Sequence, residues 1–422
     1  GALIKDNLKN NIYGVANDKV VVDGVLTSSP MLYNDFNWQD YIKRVGTFQK
    51  YDVDYSGASD NTSYYAGFGY SKETGYVIKS DFERYTAKAN IDTQVTDWLK
   101  LGTNLSGTLI KSTLADDSGG SSYINPFWFS RAMGPIYSPF LYDAKGQRVY
   151  DLEGNPVYDG NSTRGRGASA SAGRNVLQET LLNNNKQDTN SINSRFFAEF
   201  KIIKGLTFTT SLSYDVRNYS FKEYGNKVIG DASGTAALGL TTYKYTGITW
   251  DKILNYKKSI GSHNFDAILG HQSFDRTVDY GYLRKIGETV SGIYEMSNFL
   301  TPTSSSGYNY VIRKEGYFAR LNYDFANKYL LSASLRIDKS SRFSDQNYQG
   351  TFWSVGAGWN IHKEAFLANS QFVNELKLRG SYGQVGNDGG IGAEPGYQAD
   401  LDLYSLGYNN GGESGVYLCQ VG

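Results

Sequence analysis

A two-sided β-hairpin is the structure that residues 316–343, GYFARLNYDFANKYLLSASLRIDKSSRF, predict. Successive side chains of a strand point to opposite faces of its sheet. On both sides of a three-residue turn, Ala326, Asn327 and Lys328, one face is therefore apolar and the other mostly polar or charged. The apolar set is Tyr317, Ala319, Leu321, Tyr323, Phe325, Tyr329, Leu331, Ala333, Leu335 and Ile337; the opposite set includes Arg320, Asn322, Asp324, Ser332, Ser334, Arg336 and Asp338.

Five further pairs of strand-like segments occur along the chain. They are residues 51–57 with 61–72, 82–93 with 99–112, 193–203 with 206–221, 241–258 with 263–274, and 353–361 with 375–386, the last pair joined by a short segment with helical character at 362–374. Together they predict about twelve strands of roughly ten to fifteen residues. The connectors within pairs are short, whereas those between pairs, at 114–187, 224–238, 288–314 and 340–350, are long.

These features favour a membrane barrel over a soluble β-sandwich, although alternation alone fits both. The strands are longer than the five or six residues usual in globular proteins. Tight turns at one end and long loops at the other are typical of outer-membrane barrels. Aromatic residues near strand ends would form an interfacial girdle: Tyr85, Trp98, Tyr317, Tyr329, Trp353 and Trp359. The predicted fold is all-β, a transmembrane antiparallel up-and-down β-barrel segment with long external loops.

Composition argues against several other functions. The 422 residues contain 42 Lys and Arg and 42 Asp and Glu, so the chain lacks the basic excess of a nucleic-acid-binding protein. Cys419 is the only cysteine, and the histidines are His263, His271 and His362. This supply is thin for a disulfide framework, a metal site or histidine catalysis. We expect no catalytic site, no metal and no cofactor.

Four blocks of the chain, residues 61–108, 316–343, 352–367 and 373–387, resemble the barrel of SusC/RagA-like TonB-dependent transporters. The similarity extends over most of residues 36–390. It implies an outer-membrane protein, a plug domain inside the barrel and roughly 22 strands. We expect residues 1–48 to be an external loop leading into the barrel, 49–384 to hold barrel strands with a long external loop at 114–187, and 385–422 to be a Gly-rich external loop. The family's plug and TonB-contacting segment are not recognised here, which predicts an incomplete chain.

The same resemblance implies a function and its partners. It predicts TonB-dependent import of a large nutrient, an oligosaccharide or an oligopeptide, together with a SusD-like surface lipoprotein, in contact with the lipid bilayer and without nucleic acid. TonB would bind through a segment that is missing here. An alternative function is a surface adhesin or structural barrel that binds a host or partner protein.

Candidate ligand-binding residues lie in the long loop. Tyr123, Phe127, Trp128 and Tyr137 surround Arg131 in sequence, and aromatic rings with an arginine can bind sugars or peptides. The alternative is that these aromatics form a small core that folds the loop. Nearby, DAKGQ at Asp143 and DLEGN at Asp151 predict β-turns rather than a calcium loop.

Candidate lumen-lining residues share the polar strand faces. They are Lys88, Arg320, Arg336, Asp338, Lys377 and Arg379. Such charges could line a route for a polar solute. Alternatively, they pair with one another or hold the plug.

Overall fold

The computed structural model describes residues 36–115, 125–134, 137–143, 147–160, 171, 173–343, 348–367 and 372–386, with the backbone of short strand segments at 21–22, 25–26, 403–405, 409–410, 413–414 and 419–421. Twelve strands form one antiparallel sheet in which each strand pairs with the next in the chain. They are β1 (Thr47–Ala58), β2 (Thr62–Thr74), β3 (Asp81–Thr96), β4 (Leu99–Leu114), β5 (Asn184–Ile203), β6 (Leu206–Gly225), β7 (Ala237–Ile260), β8 (His263–Glu288), β9 (Phe299–Phe325), β10 (Tyr329–Ser340), β11 (Gln349–Asn360) and β12 (Lys377–Gly383). The predicted meander is confirmed.

The short turns lie at one end of the sheet, which also holds the longer connection from β11 to β12 at 361–376, and the other end holds the longest connection. At one end the turns span residues 59–61, 97–98, 204–205, 261–262 and 326–328. The turn from β9 to β10 is the predicted one, with Phe325 opposite Tyr329 and with Ala326 and Asn327 at φ 53° and 55°. At the other end the connections at 115–183, 226–236 and 289–298 are long. We call this second end the loop end.

The apolar face of the sheet is open. Register places Leu269, Ala319, Leu335 and Trp353 in one cross-strand row. In this row Leu269 is 60% exposed and Trp353 is 41% exposed. The buried hydrophobic clusters of the described residues lie mainly at the loop end. A row of exposed apolar side chains that is not covered by a second sheet layer is what a lipid-facing barrel wall requires.

Several strands are much longer than predicted. β7, β8 and β9 contain 24, 26 and 27 residues, whereas about 9–11 residues suffice to cross a bilayer. Residues 299–314, which were expected to be loop, form the first part of β9, so that expectation was wrong. Ser, Gly and Pro302 suggested a loop, but pairing with β8 extends the strand. Pro302 lies opposite Lys285, beside a register shift where a missing N–H is tolerated.

In the described part of the chain, three short α-helices lie at the loop end: α1 (Trp38–Ile42), α2 (Pro126–Ala132) and α3 (Val176–Leu182). The expected helical segment at 362–374 was wrong in its described part, which contains only a 3-10 turn, Ile361–Lys363. Among the described helices, none has the length and apolar character needed to cross a membrane.

Candidate binding cleft and inner face

The three helices pack into one structure that we call the cap. Its core consists of Trp38, Ile42, Phe129, Met133, Tyr137, Phe140, Val176 and Leu177. Trp38 is 1% exposed, meets the Phe129 ring edge-on at 5.2 Å and donates from Nε1 to the Tyr137 carbonyl at 2.8 Å. Because these residues come from three separate segments, at 38–42, 129–140 and 176–177, the cap is a tertiary core at the loop end.

The segment after α1 attaches the cap to the sheet. The Arg44 N–H donates to the Tyr76 carbonyl at 2.7 Å, and the Ile78 N–H donates to the Ile42 carbonyl at 3.0 Å. The Arg44 side chain also binds the Gly75 and Ser80 carbonyls and pairs with Asp81 at 2.7 Å. The β2–β3 connection is thereby held against the cap.

Asn175 links α3 to two other parts of the long loop. Its side-chain oxygen accepts from the Gln178 N–H at 3.1 Å and caps the helix. Its side-chain amide donates to the Pro139 and Asp159 carbonyls at 2.8 and 3.2 Å. With Asn175 fully buried, one side chain hydrogen-bonds three backbone groups, of which the Pro139 and Asp159 carbonyls belong to buried residues.

A buried ion pair joins α3 to the loop at 226–236. Glu179 Oε2 lies 2.7 Å from Arg174 Nη2, and Arg174 also pairs with Asp231. Burial raises the pKa of the Glu179 carboxyl above its ordinary value, while the Arg174 charge opposes this shift. The pair therefore costs desolvation energy but fixes the position of α3 against its neighbouring loop.

An open cleft of about 770 Å³ lies beside α2. Its lining is Tyr76, Asn125, Phe127, Trp128, Arg131 and Ala132. The Phe127 ring lies 5.9 Å from that of Tyr76, and Arg131 Nε donates to the Phe127 carbonyl at 3.2 Å. Among the described residues Arg131 makes no ion pair, and its side chain is exposed. The cleft thus presents aromatic surface beside an available guanidinium.

The predicted loop residues divide between the cleft and the core. Phe127, Trp128 and Arg131 line the cleft, and Trp128 also packs against the cap core. Tyr137 is 8% exposed and belongs to the cap core. Its ring is therefore assigned to packing, as the alternative interpretation expected. Tyr123 lies outside the described residues. Sequence reasoning missed Tyr76, because the β2–β3 connection is distant in sequence and only the fold brings it beside α2.

The predicted turn at Asp151 is confirmed. Asp151 Oδ1 accepts from the Asn155 and Glu153 N–H groups at 2.7 and 3.0 Å. The bond from the Asn155 amide is the main reason that the pKa of Asp151 lies below its ordinary value. At Asp143, the side chain accepts from the Gln147 N–H at 2.8 Å.

The six predicted lumen residues share one face of the sheet, opposite the exposed apolar rows. Cross-strand register relates all of them: Lys88, Arg320, Arg336, Asp338, Lys377 and Arg379. We call this the inner face. Arg336 Nε lies 2.7 Å from both oxygens of Asp338. The other four make no ion pair within the described part of the chain.

Arg336 belongs to a polar ladder whose residues come from four strands, β10, β8, β7 and β6. Arg336 Nη2 donates to Gln272 Oε1 at 3.3 Å, and Gln272 Nε2 donates to Asp251 Oδ1 at 2.8 Å. The Ser211 hydroxyl reaches Asp251 Oδ2 at 3.4 Å. Gln272 and Asp251 were not predicted as site residues. They could have been found by asking which residues of the neighbouring strands lie on the same face of the sheet as Arg336.

Comparison with known proteins decides the family. The sequence model of the family described as "TonB dependent receptor-like, beta-barrel" matches residues 136–415, well over half of the chain. The chain belongs to this family. Like the SusC and RagA proteins it resembles, this receptor barrel is an outer-membrane protein.

Individual relatives agree with this placement. TonB-dependent receptor P3 of Formosa agariphila is 28% identical over 364 residues, which are 83% of this chain and 34% of that receptor. TonB-dependent receptor SusC of Bacteroides thetaiotaomicron is 28% identical over 375 residues, 83% of this chain and 35% of SusC. This receptor barrel therefore spans about a third of the length of the curated relatives it matches.

A solved structure supports the fold. The chain is similar to a chain of the RagAB peptide transporter with a TM-score of 0.75, at 24% identity, over 92% of this chain and 42% of that one. At this level of identity the likeness concerns the architecture of the strands. The twelve-stranded sheet thus corresponds to a part of a larger TonB-dependent barrel.

Proposed function

We propose that this protein takes part in TonB-dependent import of a large nutrient, an oligosaccharide or an oligopeptide, through the outer membrane. The observation that carries the proposal is the sheet's division into an exposed apolar face and an inner face with a charged ladder, in a TonB-dependent receptor barrel. Such a wall separates lipid from a polar passage. RagAB is a peptide transporter by name, which fits the proposal without selecting the nutrient.

In this function the cleft beside α2 makes the first contact with the nutrient. Phe127 and Trp128, with Tyr76, offer ring faces on which a sugar ring or an apolar side chain can rest. Arg131 offers a planar set of donors for a carboxylate or carbonyl oxygen. The inner-face residues Lys88, Arg320, Lys377 and Arg379 then line the route inward, along which solute transfer requires no covalent step.

The partners follow from the same proposal. A SusD-like surface lipoprotein closes over the loop end, where the cap and cleft lie. TonB acts through a part of the relatives that this chain does not match. A plug domain gates the barrel lumen. An adhesin would use the same loops but would need neither TonB nor a plug, so dependence of uptake on TonB separates the two functions.

The test uses the full-length protein purified from outer membranes with its natural ligand bound. Mass spectrometry of the released ligand identifies the nutrient, and binding is then measured by calorimetry. We expect the double variant Phe127→Ala, Trp128→Ala to bind it at least tenfold more weakly, about 1.4 kcal/mol. Trp353→Ala, on the exposed apolar face, is the matched control. If binding and uptake are unchanged in the double variant, Phe127 and Trp128 serve only the packing of the cap.

A further inference from the structure

A row of four tyrosines crosses the inner face of the long strands near the loop end. Cross-strand register places Tyr243 opposite both Tyr219 and Tyr280, and it places Tyr280 opposite Tyr308. The ring centres of Tyr243 and Tyr280 lie 4.7 Å apart, and those of Tyr280 and Tyr308 lie 4.6 Å apart. Tyr280 follows Gln272 of the polar ladder by an even number of residues, so both side chains point to the same face. We call these four residues the tyrosine row.

The polarity of the sheet is reversed at the height of the tyrosine row. Closer to the turns, the face opposite the inner face is apolar, as at Leu269, and the inner face carries the polar ladder. Beside the tyrosine row, that opposite face instead presents Lys244 and Asp279, which are paired across the strands. Tyr280 lies 17 residues from His263 at the turn. At about 3.4 Å per residue and a strand tilt of about 45°, the row is roughly 40 Å from the turns, beyond an apolar band of about 25 Å.

The hydroxyl groups of the row are not satisfied as they would be in a closed protein core. Within the described part of the chain, the hydroxyls of Tyr243 and Tyr280 make no hydrogen bond, and that of Tyr219 reaches Gln187 Oε1 only at 3.5 Å. The side chains of Tyr243 and Tyr280 are half-buried. Phenol hydroxyls that are enclosed by protein normally find a partner. An inward-facing surface of tyrosines therefore suits water in the free state and a hydroxyl-rich ligand in the bound state.

Charged groups border the row on β6. Asp215 and Arg217 precede Tyr219 by four and two residues, so both side chains lie on the inner face. Neither forms an ion pair with another residue that the structure describes, and Arg217 is exposed. The Tyr245 ring, next to the row, is already in contact with two guanidinium groups, Arg217 at 5.7 Å and Arg276 at 5.1 Å. The border of the row thus supplies a carboxylate acceptor and a guanidinium donor beside the tyrosine hydroxyls.

We propose that the tyrosine row binds the pyranose rings of an oligosaccharide. The C–H groups of a sugar ring pack on the tyrosine rings, while its hydroxyls bind the phenol groups of Tyr243 and Tyr280 and the side chains of Asp215 and Arg217. An apolar side chain of a peptide would be bound equally well by Phe or Leu, and it would leave the phenol groups unused. This inference rests on the import function proposed above and selects the oligosaccharide from its two nutrient classes.

The experiment measures binding to the purified full-length protein. Hexasaccharides prepared from starch, cellulose, xylan, mannan, laminarin and polygalacturonate are offered as one mixture, and a tryptic digest of casein is offered as a second. Mass spectrometry identifies the compounds that the protein retains, and calorimetry gives the Kd of each. We expect the protein to retain at least one hexasaccharide and no casein peptide.

Two double variants test the tyrosines themselves. Tyr243→Ala with Tyr280→Ala removes the rings and should raise the Kd for the retained sugar by about tenfold or more. Tyr243→Phe with Tyr280→Phe keeps the rings and removes only the hydroxyls, so it should raise the Kd by about threefold. Heat-resistant migration on gels checks that both variants are folded.

The matched control changes the opposite face at the same height. Lys244→Ala with Asp279→Ala alters the cross-strand pair next in sequence to Tyr243 and Tyr280, and it should leave the Kd unchanged. The proposal is overturned if no hexasaccharide is retained, if casein peptides are retained, or if either tyrosine variant binds as the unchanged protein does. Binding is measured without TonB, so uptake that proves independent of TonB refutes the import function without altering these affinities.

Discussion

Glu179 packs directly against the backbone of Gly230. A β-carbon at position 230 would lie 2.5 Å from Glu179 Oε2, and Gly230 has a φ of +89°, a conformation that side chains other than glycine rarely adopt. The buried carboxylate of α3 and the loop at 226–236 therefore fit together only with glycine at this position. Neighbouring Gly234 also has a positive φ, +86°, but has open space around it.

Gly230→Ala should loosen the cap. The strained φ costs about 1 kcal/mol and the collision with Glu179 raises the total to roughly 2–3 kcal/mol. Hydrogen exchange of the α3 amides measures the loss as a lower free energy of local opening. Gly234→Ala carries the strain without the collision, so it should lose only about 1 kcal/mol. Equal losses in both variants would show that contact with Glu179 contributes nothing.

The stability of the cap should decrease as the pH rises. Burial raises the pKa of Glu179 above its ordinary value of 4.5, so the folded cap binds this proton more tightly than the unfolded segment does. The contribution of Glu179 to the stability of the cap is fully present below about pH 4.5, and it is lost as the pH rises through the raised pKa of the folded state. Hydrogen exchange of α3, corrected for intrinsic rates, follows this change. In Glu179→Gln the trend should disappear, and its persistence would assign it to another group.

Asn175→Ala should destabilise α3 by more than the usual loss of a helix cap. Removal of the cap alone costs about 1 kcal/mol, and the Pro139 and Asp159 carbonyls would also lose buried donors. We expect about 2–4 kcal/mol by hydrogen exchange of α3. Asn175→Asp retains the capping oxygen but not the amide donors, so it distinguishes the role in capping α3 from the role in linking the two carbonyls. A loss near 1 kcal/mol in Asn175→Ala would contradict the linking role of the side-chain amide.

A charge on the apolar face should be far costlier than one on the inner face. Leu335→Lys places a cation where lipid is expected, at about 2–4 kcal/mol near the bilayer centre. Ser334→Lys, one residue earlier, places it on the inner face. The full-length barrel is folded into lipid vesicles, and its heat-dependent shift on gels monitors folding. This measures the difference in stability between the two variants. Comparable losses in both variants would refute the assignment of the two faces.

Local patterns in the sequence predicted the sheet well. Alternation at residues 316–343 predicted which side chains share a face, because the side-chain period of a strand is two. The turn at Ala326, Asn327 and Lys328 set the register of β9 against β10. Parity alone also placed Arg336 and Asp338 together on the inner face, where they form an ion pair.

The loop-end parts of the long strands could not be predicted from local sequence patterns. Residues 299–314 contain Ser, Gly and Pro302, whose intrinsic preferences indicate a loop. In the structure β8 supplies a paired partner along this whole stretch, and the register shift at Arg284 and Lys285 accommodates the proline. Cross-strand hydrogen bonding outweighs local preference, and it depends on a neighbour rather than on the segment itself.

By itself, the sequence determined the meander of hairpins and the two faces of its sheet, because both follow from contacts between residues close along the chain. Only the tertiary structure decided that Tyr137 packs in the cap while Trp128 lines a cleft with Tyr76. Those positions depend on Trp38 and α3, which come from distant parts of the chain. The local sequence around an aromatic residue in a long loop does not tell whether the residue is buried or exposed. Only the packing of remote segments decides this.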